Sequence, residues 1–166
     1  TYGGFRAVVY SDLVQFFVMV STVILIAFFS YNEYGGIDYL QAKLPSTHFD
    51  PTGGEKISSL LVWGIIALST LVDPNFYQRV LAAKDVKTAR NGILIATVVW
   101  VIFDLAMTAG ALYARAVMPE ANSQTAYLEF AIHILPPGLR GFALAGILAT
   151  IISTLDSYIF IGATTL

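Results

Sequence analysis

Four apolar stretches, each long enough to cross a bilayer, restrict this chain more than anything else in it. A helix needs about 20 mostly apolar residues to span the hydrocarbon core, and residues 5–29, 57–83, 93–114 and 139–166 each meet that length. The bilayer interior offers backbone groups no water, so such runs fold as helices that satisfy their hydrogen bonds internally. Composition agrees, with 57% of the 166 residues hydrophobic and 12% charged, far from the balance of a soluble domain. The predicted fold class is all-α: a polytopic transmembrane helix bundle of four spans, forming one partial domain over residues 1–166. The chain opens at Thr1 without a methionine and stops at Leu166 inside an apolar run, so it is expected to be an internal piece of a longer polypeptide. There is no cysteine, which removes disulfides, thiol catalysis and thiolate metal sites together.

Acidic residues interrupt these runs. Asp12, Asp73, Asp104 and Asp156 lie within or at the edge of the expected spans, and an ionised carboxylate there costs at least roughly 2.5 kcal/mol unless it meets a cation, a proton or a polar pathway. Transport is therefore the leading functional expectation. Arg79, Lys84, Lys87 and Arg90 cluster around the short second connection, whereas the first holds Glu33, Asp38, Asp50 and Glu55 against Lys43 and Lys56. The basic bias of cytoplasmic loops then places the short turn inside the cell.

The second span is the least regular. Asp73-Pro74-Asn75-Phe76-Tyr77-Gln78-Arg79 sets a proline and several polar residues in its inner half, and proline both removes a backbone donor and clashes with the preceding turn. Two readings carry equal weight: a broken helix of the kind that holds substrate and ion sites in transporters, or a span that ends here with Asp73 capping a new interfacial helix. Arg79 is expected to snorkel to the inner surface.

In the fourth span, Thr150, Ser153, Thr154 and Ser157 recur at i, i+3, i+4 and i+7, which puts three or four hydroxyls on one helical face. Neutral oxygen ligands suit a small hard cation. Close helix packing through small residues is the competing use of such a face, and Ala145, Gly146 and Ala149 fit it. At 1.5 Å rise per residue, Asp12 lies about 10 Å above the inner start of the first span and Ser157 about 14 Å above the inner end of the fourth. Their depths allow them to meet.

The strings GGFRAVVYSDLVQFF, DPNFYQRVLAAKDVKTARNG and LAGILATIISTLDSYIFIGATTL resemble the sodium/solute symporter family over nearly the whole chain. The resemblance implies a leucine-transporter-like fold of two inverted five-helix repeats, with the four spans as core helices five to eight. It implies sodium as the coupling ion, with no organic cofactor. The main sodium site would take a backbone carbonyl from Thr150 and hydroxyls from Ser153 and Thr154, completed by the first core helix, which this chain lacks. A second site for sodium or a proton would involve Asp12, Ser153 and Ser157, with Asp156 standing where members with that site have a serine or threonine. Two carboxylates there would bind a cation more strongly or share a proton; Asp156 turned away for packing or gating is the equal alternative. Asp73, Asn75, Tyr77 and Gln78 fall in the region that relatives use for substrate and its exit.

The expected partners are sodium, a small-molecule substrate, the lipid bilayer and the remaining helices of the same polypeptide, with no nucleic acid. The expected location is a bacterial inner membrane, crossed several times. Enzymatic function is not expected, because no nucleophile, base and orienter set, metal cluster or nucleotide loop is present. The alternative function is that of a transporter-like membrane input domain of a sensor histidine kinase. Elsewhere, Asp104 is expected to hydrogen-bond a neighbouring helix, and His48 and His133 to be solvated loop residues.

Overall fold

The computed structural model describes residues 4–165, so Leu166, the end of the fourth expected span, lies outside the described residues. Seven α-helices follow one another: α1 (Gly4–Tyr34), α2 (Ile37–Lys43), α3 (Ile57–Ala67), α4 (Pro74–Leu81), α5 (Val86–Val117), α6 (Ala126–Ile134) and α7 (Leu139–Thr165). Short 3-10 turns cover Ser46–Phe49 and Leu68–Val72. Among the described residues there is no strand. By length and apolarity α1, α5 and α7 are each able to cross a membrane, and α3 with its 3-10 extension and α4 make a bent pair that forms a fourth crossing if the two act as one span. The all-α bundle expected from the sequence is the fold observed.

The long helices begin and end for local reasons. α1 runs unbroken by glycine or proline from Phe5 to Tyr34 and stops where Gly35, at φ +92°, donates its N–H to the Tyr31 carbonyl over 2.9 Å; a left-handed glycine past the last turn is a common way to close a helix. α5 starts at Val86, seven residues before the expected boundary, because the Asp85 carboxylate accepts the Thr88 backbone N–H at 2.7 Å and caps the first turn. Lys87 and Arg90 therefore lie on the helix and not in a turn. The two connections expected to be irregular, 30–56 and 115–138, hold α2 and α6.

α1 and α7 pack along their length, with α5 against the outer part of α1. At the α1–α7 crossing the Gly146 backbone lies on Thr22, where an added Cβ would come within 2.1 Å of Thr22 Oγ1. Thr22 is buried and donates its hydroxyl to the Val18 carbonyl, 2.8 Å away. This close approach is the small-residue packing that helices use in lipid. Gly146, Ala143 and Ala149 carry it, while Ala145 is exposed, contrary to the expectation.

The buried core gathers where α1, α2, α5, α6 and α7 converge at the end of the bundle opposite Asp12. Ile26, Leu40, Tyr113, Phe130, Leu135 and Ala143 fill it, and Tyr34, Tyr39 and Tyr113 stack at its edge. The Tyr113 hydroxyl donates to the Gly35 carbonyl and so ties α5 to the end of α1. The opposite half is thinner. Residues 60–72 are all exposed, and α3 rests on no other long helix of this chain as α1 and α7 rest on each other.

Candidate functional site

At Asp73 the second crossing changes direction by 43°. Asp73 has extended backbone and its carboxylate accepts the Asn75 N–H at 2.7 Å, with Pro74 at the first helical position. Proline suits that position because its missing N–H would have no partner there. The break and the cap, which stood as alternatives in the sequence, coincide: Asp73 both marks the bend and caps the start of α4.

The bend brings Arg79 back against α1 and α7. Arg79 Nη2 donates to Asp12 Oδ2 at 2.7 Å and to Ser157 Oγ at 3.0 Å, while Nη1 donates to the Asn75 carbonyl at 3.2 Å. From α7, Ser153 Oγ donates to the other carboxylate oxygen, Asp12 Oδ1, at 2.9 Å. Three helices therefore meet on one carboxylate whose side chain is 19% exposed, against 41% for the arginine. The depth-matching of Asp12 with Ser157 expected from the sequence is met, with Arg79 between them. Arg79, expected to reach the inner surface, is held on this carboxylate while 41% of its side chain stays exposed, and the two N–H groups of Nη2 meet the carboxylate and the neighbouring hydroxyl together.

Two buried amide oxygens lie one helical turn from this pair. Gln15 Oε1, three residues beyond Asp12, and Asn75 Oδ1, four residues before Arg79, have no donor among the described residues. The other end of the Gln15 amide donates to Ser11 Oγ at 3.1 Å. Buried acceptors without partners are uncommon in folded proteins, and oxygen atoms of this kind suit a small cation.

The hydroxyl face of α7 divides into two rows. Ser153 and Ser157 point to α1 and α4, as described, whereas Thr150 and Thr154 lie on the exposed side. Thr150 Oγ1 donates to the Gly146 carbonyl at 3.2 Å, and Thr154 Oγ1 to the Thr150 carbonyl at 3.0 Å. The Thr150 carbonyl and Thr154 hydroxyl are consequently adjacent on a surface that no other helix of this chain covers, and Ser153 stands at the boundary of both rows. Asp156 joins neither: it is half-buried, with no hydrogen bond or ion pair among the described residues.

Of the four residues expected along a substrate path, Tyr77 faces a cleft of about 600 Å³ between the bent crossing and α5, lined also by Thr70, Phe76, Arg79, Thr97 and Trp100. Asp73, Asn75 and Gln78 are half-buried and do not line it. Among the described residues Asp104 makes no interhelical hydrogen bond; it is exposed beside a shallow cavity of about 520 Å³ that it shares with His48 and Arg115. Among the described residues no group of three or more His, Asp and Glu side chains is placed to hold a metal ion.

Sequence comparison supplies what geometry cannot. A sequence profile described as "Sodium:solute symporter family" matches residues 1–166. The chain belongs to the sodium:solute symporter family. Among curated members, it is 31% identical over 163 residues to a sodium/pantothenate symporter of Haemophilus influenzae, covering 93% of this chain and 34% of that protein. It is 26% identical to sodium/glucose cotransporter 4 of Mus musculus, over 99% of this chain and 30% of the relative. A high-affinity proline transporter of Bacillus subtilis is 27% identical over 99% of the chain and 37% of its own length. The chain thus spans about a third of the length of these relatives. No solved structure matches it. As a member of this symporter family with three or four membrane-crossing helices, it is an integral membrane protein.

Arg79 and Gln15 are the site residues that sequence reasoning passed over. The available signal was depth: Arg79 falls four residues before the expected inner end of the second span, about 6 Å into the bilayer at 1.5 Å per residue. A guanidinium side chain reaches from there to the level of Asp12.

Proposed function

We propose that these helices are part of a sodium-coupled symporter that moves a small organic solute by alternating access in a bacterial inner membrane. They would be core helices five to eight of a leucine-transporter-like inverted-repeat fold, with the basic segment from Lys84 to Arg90 facing the cytoplasm. The rest of the polypeptide supplies the first core helix. The observation that carries the reading is the exposed pairing of the Thr150 carbonyl with the Thr154 hydroxyl, flanked by Ser153, whose own hydroxyl bridges to Asp12. These oxygens take sodium together with carbonyls of the missing helix.

Chemically, the chain contributes neutral oxygens that replace part of the ion's hydration shell and hold it weakly enough to release it. Sodium bound between α7 and the first core helix ties the two repeats together; its loss to the cytoplasm lets them rock apart and frees the solute through the region of Tyr77 and Gln78. The driving force is the sodium gradient, with each charge that crosses the membrane worth about 2.3 kcal/mol per 100 mV. The names of the relatives place pantothenate, proline and glucose among the solutes carried by proteins of this kind, and this chain's solute belongs to the same broad class of small polar organic molecules.

The test is the thermal unfolding midpoint of the intact polypeptide in nanodiscs, in sodium chloride against equimolar potassium chloride. A ligand that binds the folded state stabilises it by mass action, so sodium should raise the midpoint of the native protein and leave that of the Ser153→Ala, Thr154→Ala double variant unchanged. Equal midpoints in the two salts for the folded native protein would reject sodium coupling at this face and turn attention to a sensory role.

A further inference from the structure

We infer that Arg79 is a tethered cation that takes the place of a second sodium ion at Asp12, so that the intact protein binds one sodium where its own oxygen set would otherwise hold two. The inference rests on the sodium-coupled reading and concerns how many ions that reading involves.

Four observations converge on it. Both carboxylate oxygens of Asp12 are already taken, Oδ1 by the Ser153 hydroxyl and Oδ2 by Arg79 Nη2. The same Nη2 occupies Ser157 Oγ at 3.0 Å, so one nitrogen satisfies the two oxygens that α1 and α7 would offer to an ion. The guanidinium also neutralises the carboxylate. A sodium ion brought into the same space would meet a positive charge a few ångströms away, and among the described residues Arg79 pairs with no carboxylate besides Asp12. Lastly, Gln15 Oε1 and Asn75 Oδ1, three residues from Asp12 on α1 and four from Arg79 on α4, are buried without donors among the described residues.

The arginine is held by a tether that can release it. Arg79 is on α4, an eight-residue helix set off by the 43° bend at Asp73, and its side chain is 41% exposed and also borders the cleft of about 600 Å³ toward α5. The guanidinium therefore stands between Asp12 and open space in that cleft. While it stays, it joins α1, α4 and α7 as a bound ion would, and it needs no gradient to remain there.

The experiment counts sodium ions bound per intact polypeptide by equilibrium dialysis with radioactive sodium, for the native protein, Arg79→Gln, Arg79→Lys, Asp12→Asn, and Arg79→Gln combined with Asp12→Asn. The expected counts are one, two, one, one and one. Arg79→Gln remaining at one overturns the inference while leaving the sodium reading intact, since the native count of one is unaffected. A native count of two that falls to one in Asp12→Asn also overturns it, because Asp12 would then hold sodium beside Arg79; this arm needs no substitution of the arginine and covers the case in which Arg79→Gln does not fold. A native count of zero with a count of one in Arg79→Gln that disappears in the double variant supports the tethered cation and rejects the main site. Zero throughout rejects both.

Discussion

Gly146 illustrates how a single absent side chain sets the distance between two helices. A Cβ there would lie 2.1 Å from Thr22 Oγ1 and 2.8 Å from Thr22 Cβ, and since Thr22 is buried on α1 with its hydroxyl held by Val18, it has no free rotamer to yield. Gly146→Ala should therefore destabilise the protein by about 1–3 kcal/mol, the usual cost of overpacking, read as a lower thermal midpoint. Thr22→Ala in the same chain removes the nearest of the clashing atoms but not Thr22 Cβ, so it should recover part of the loss. Full stability of Gly146→Ala on its own would mean that the two helices stand further apart. The same close approach matters for the site, because it holds Ser153, two turns further along α7, within 2.9 Å of Asp12. In the sequence, Gly146 was legible as a packing residue and Ser153 as part of a hydroxyl face; what was not legible is that they belong to one α1-facing row. A 3.6-residue period places Thr150 and Thr154 only about 60° away from that row, too close to separate without knowing where α1 lies.

Helices α5 and α4 both depend on an aspartate cap, and the two caps differ in consequence. Asp73 sits in the bent crossing and aims Arg79, whereas Asp85 is solvent-exposed and fixes where α5 begins. The hydrogen bond from the Thr88 backbone N–H holds the Asp85 carboxyl below its ordinary range. Because the folded-state value is lowered, the cap's contribution is fully present above the unfolded pKa of about 3.9 and is lost as pH falls through the lower folded value. Asp85→Ala should thus speed exchange of the Thr88 amide hydrogen several-fold at about pH 5, and the difference from the native protein should close as the pH falls through the lowered folded-state value and the native cap protonates. A difference that persists unchanged at the lower pH would show that the carboxylate is not the cap. Long elements were readable because hydropathy over 20 residues is a strong signal; the early start of α5 was missed because Lys87 and Arg90 look like a cytoplasmic turn when the Asp85 cap is not considered. α2 and α6 were missed because seven and nine residues, respectively, fall below any spanning length.

Across the whole molecule, burial is uneven in a way that matches the chain's share of its relatives. The end built from α1, α2, α5, α6 and α7 has a closed core of aromatic and aliphatic side chains, while α3, the first turns of α5 and the Thr150 face of α7 present apolar surface to no partner in this chain. Exposed apolar surface in a membrane bundle meets either lipid or other helices, and the two can be told apart. Ile151, 60% exposed beside the Thr150–Thr154 row, is a suitable reporter, and the absence of native cysteine makes a single introduced thiol unambiguous. Ile151→Cys should react with a small water-soluble maleimide in the isolated 166-residue chain in detergent and react at least ten-fold more slowly in the intact polypeptide, with a further fall when sodium is added, because ordering the helix that covers the row and loading the ion both close the water path to the thiol. Equal labelling in both would place that face against lipid or solvent and leave the proposed sodium site without the helix it needs. Labelling that is slow in the intact protein but indifferent to sodium would leave the covering helix in place and assign the hydroxyl row to packing, the use that its spacing alone could not distinguish from ion binding.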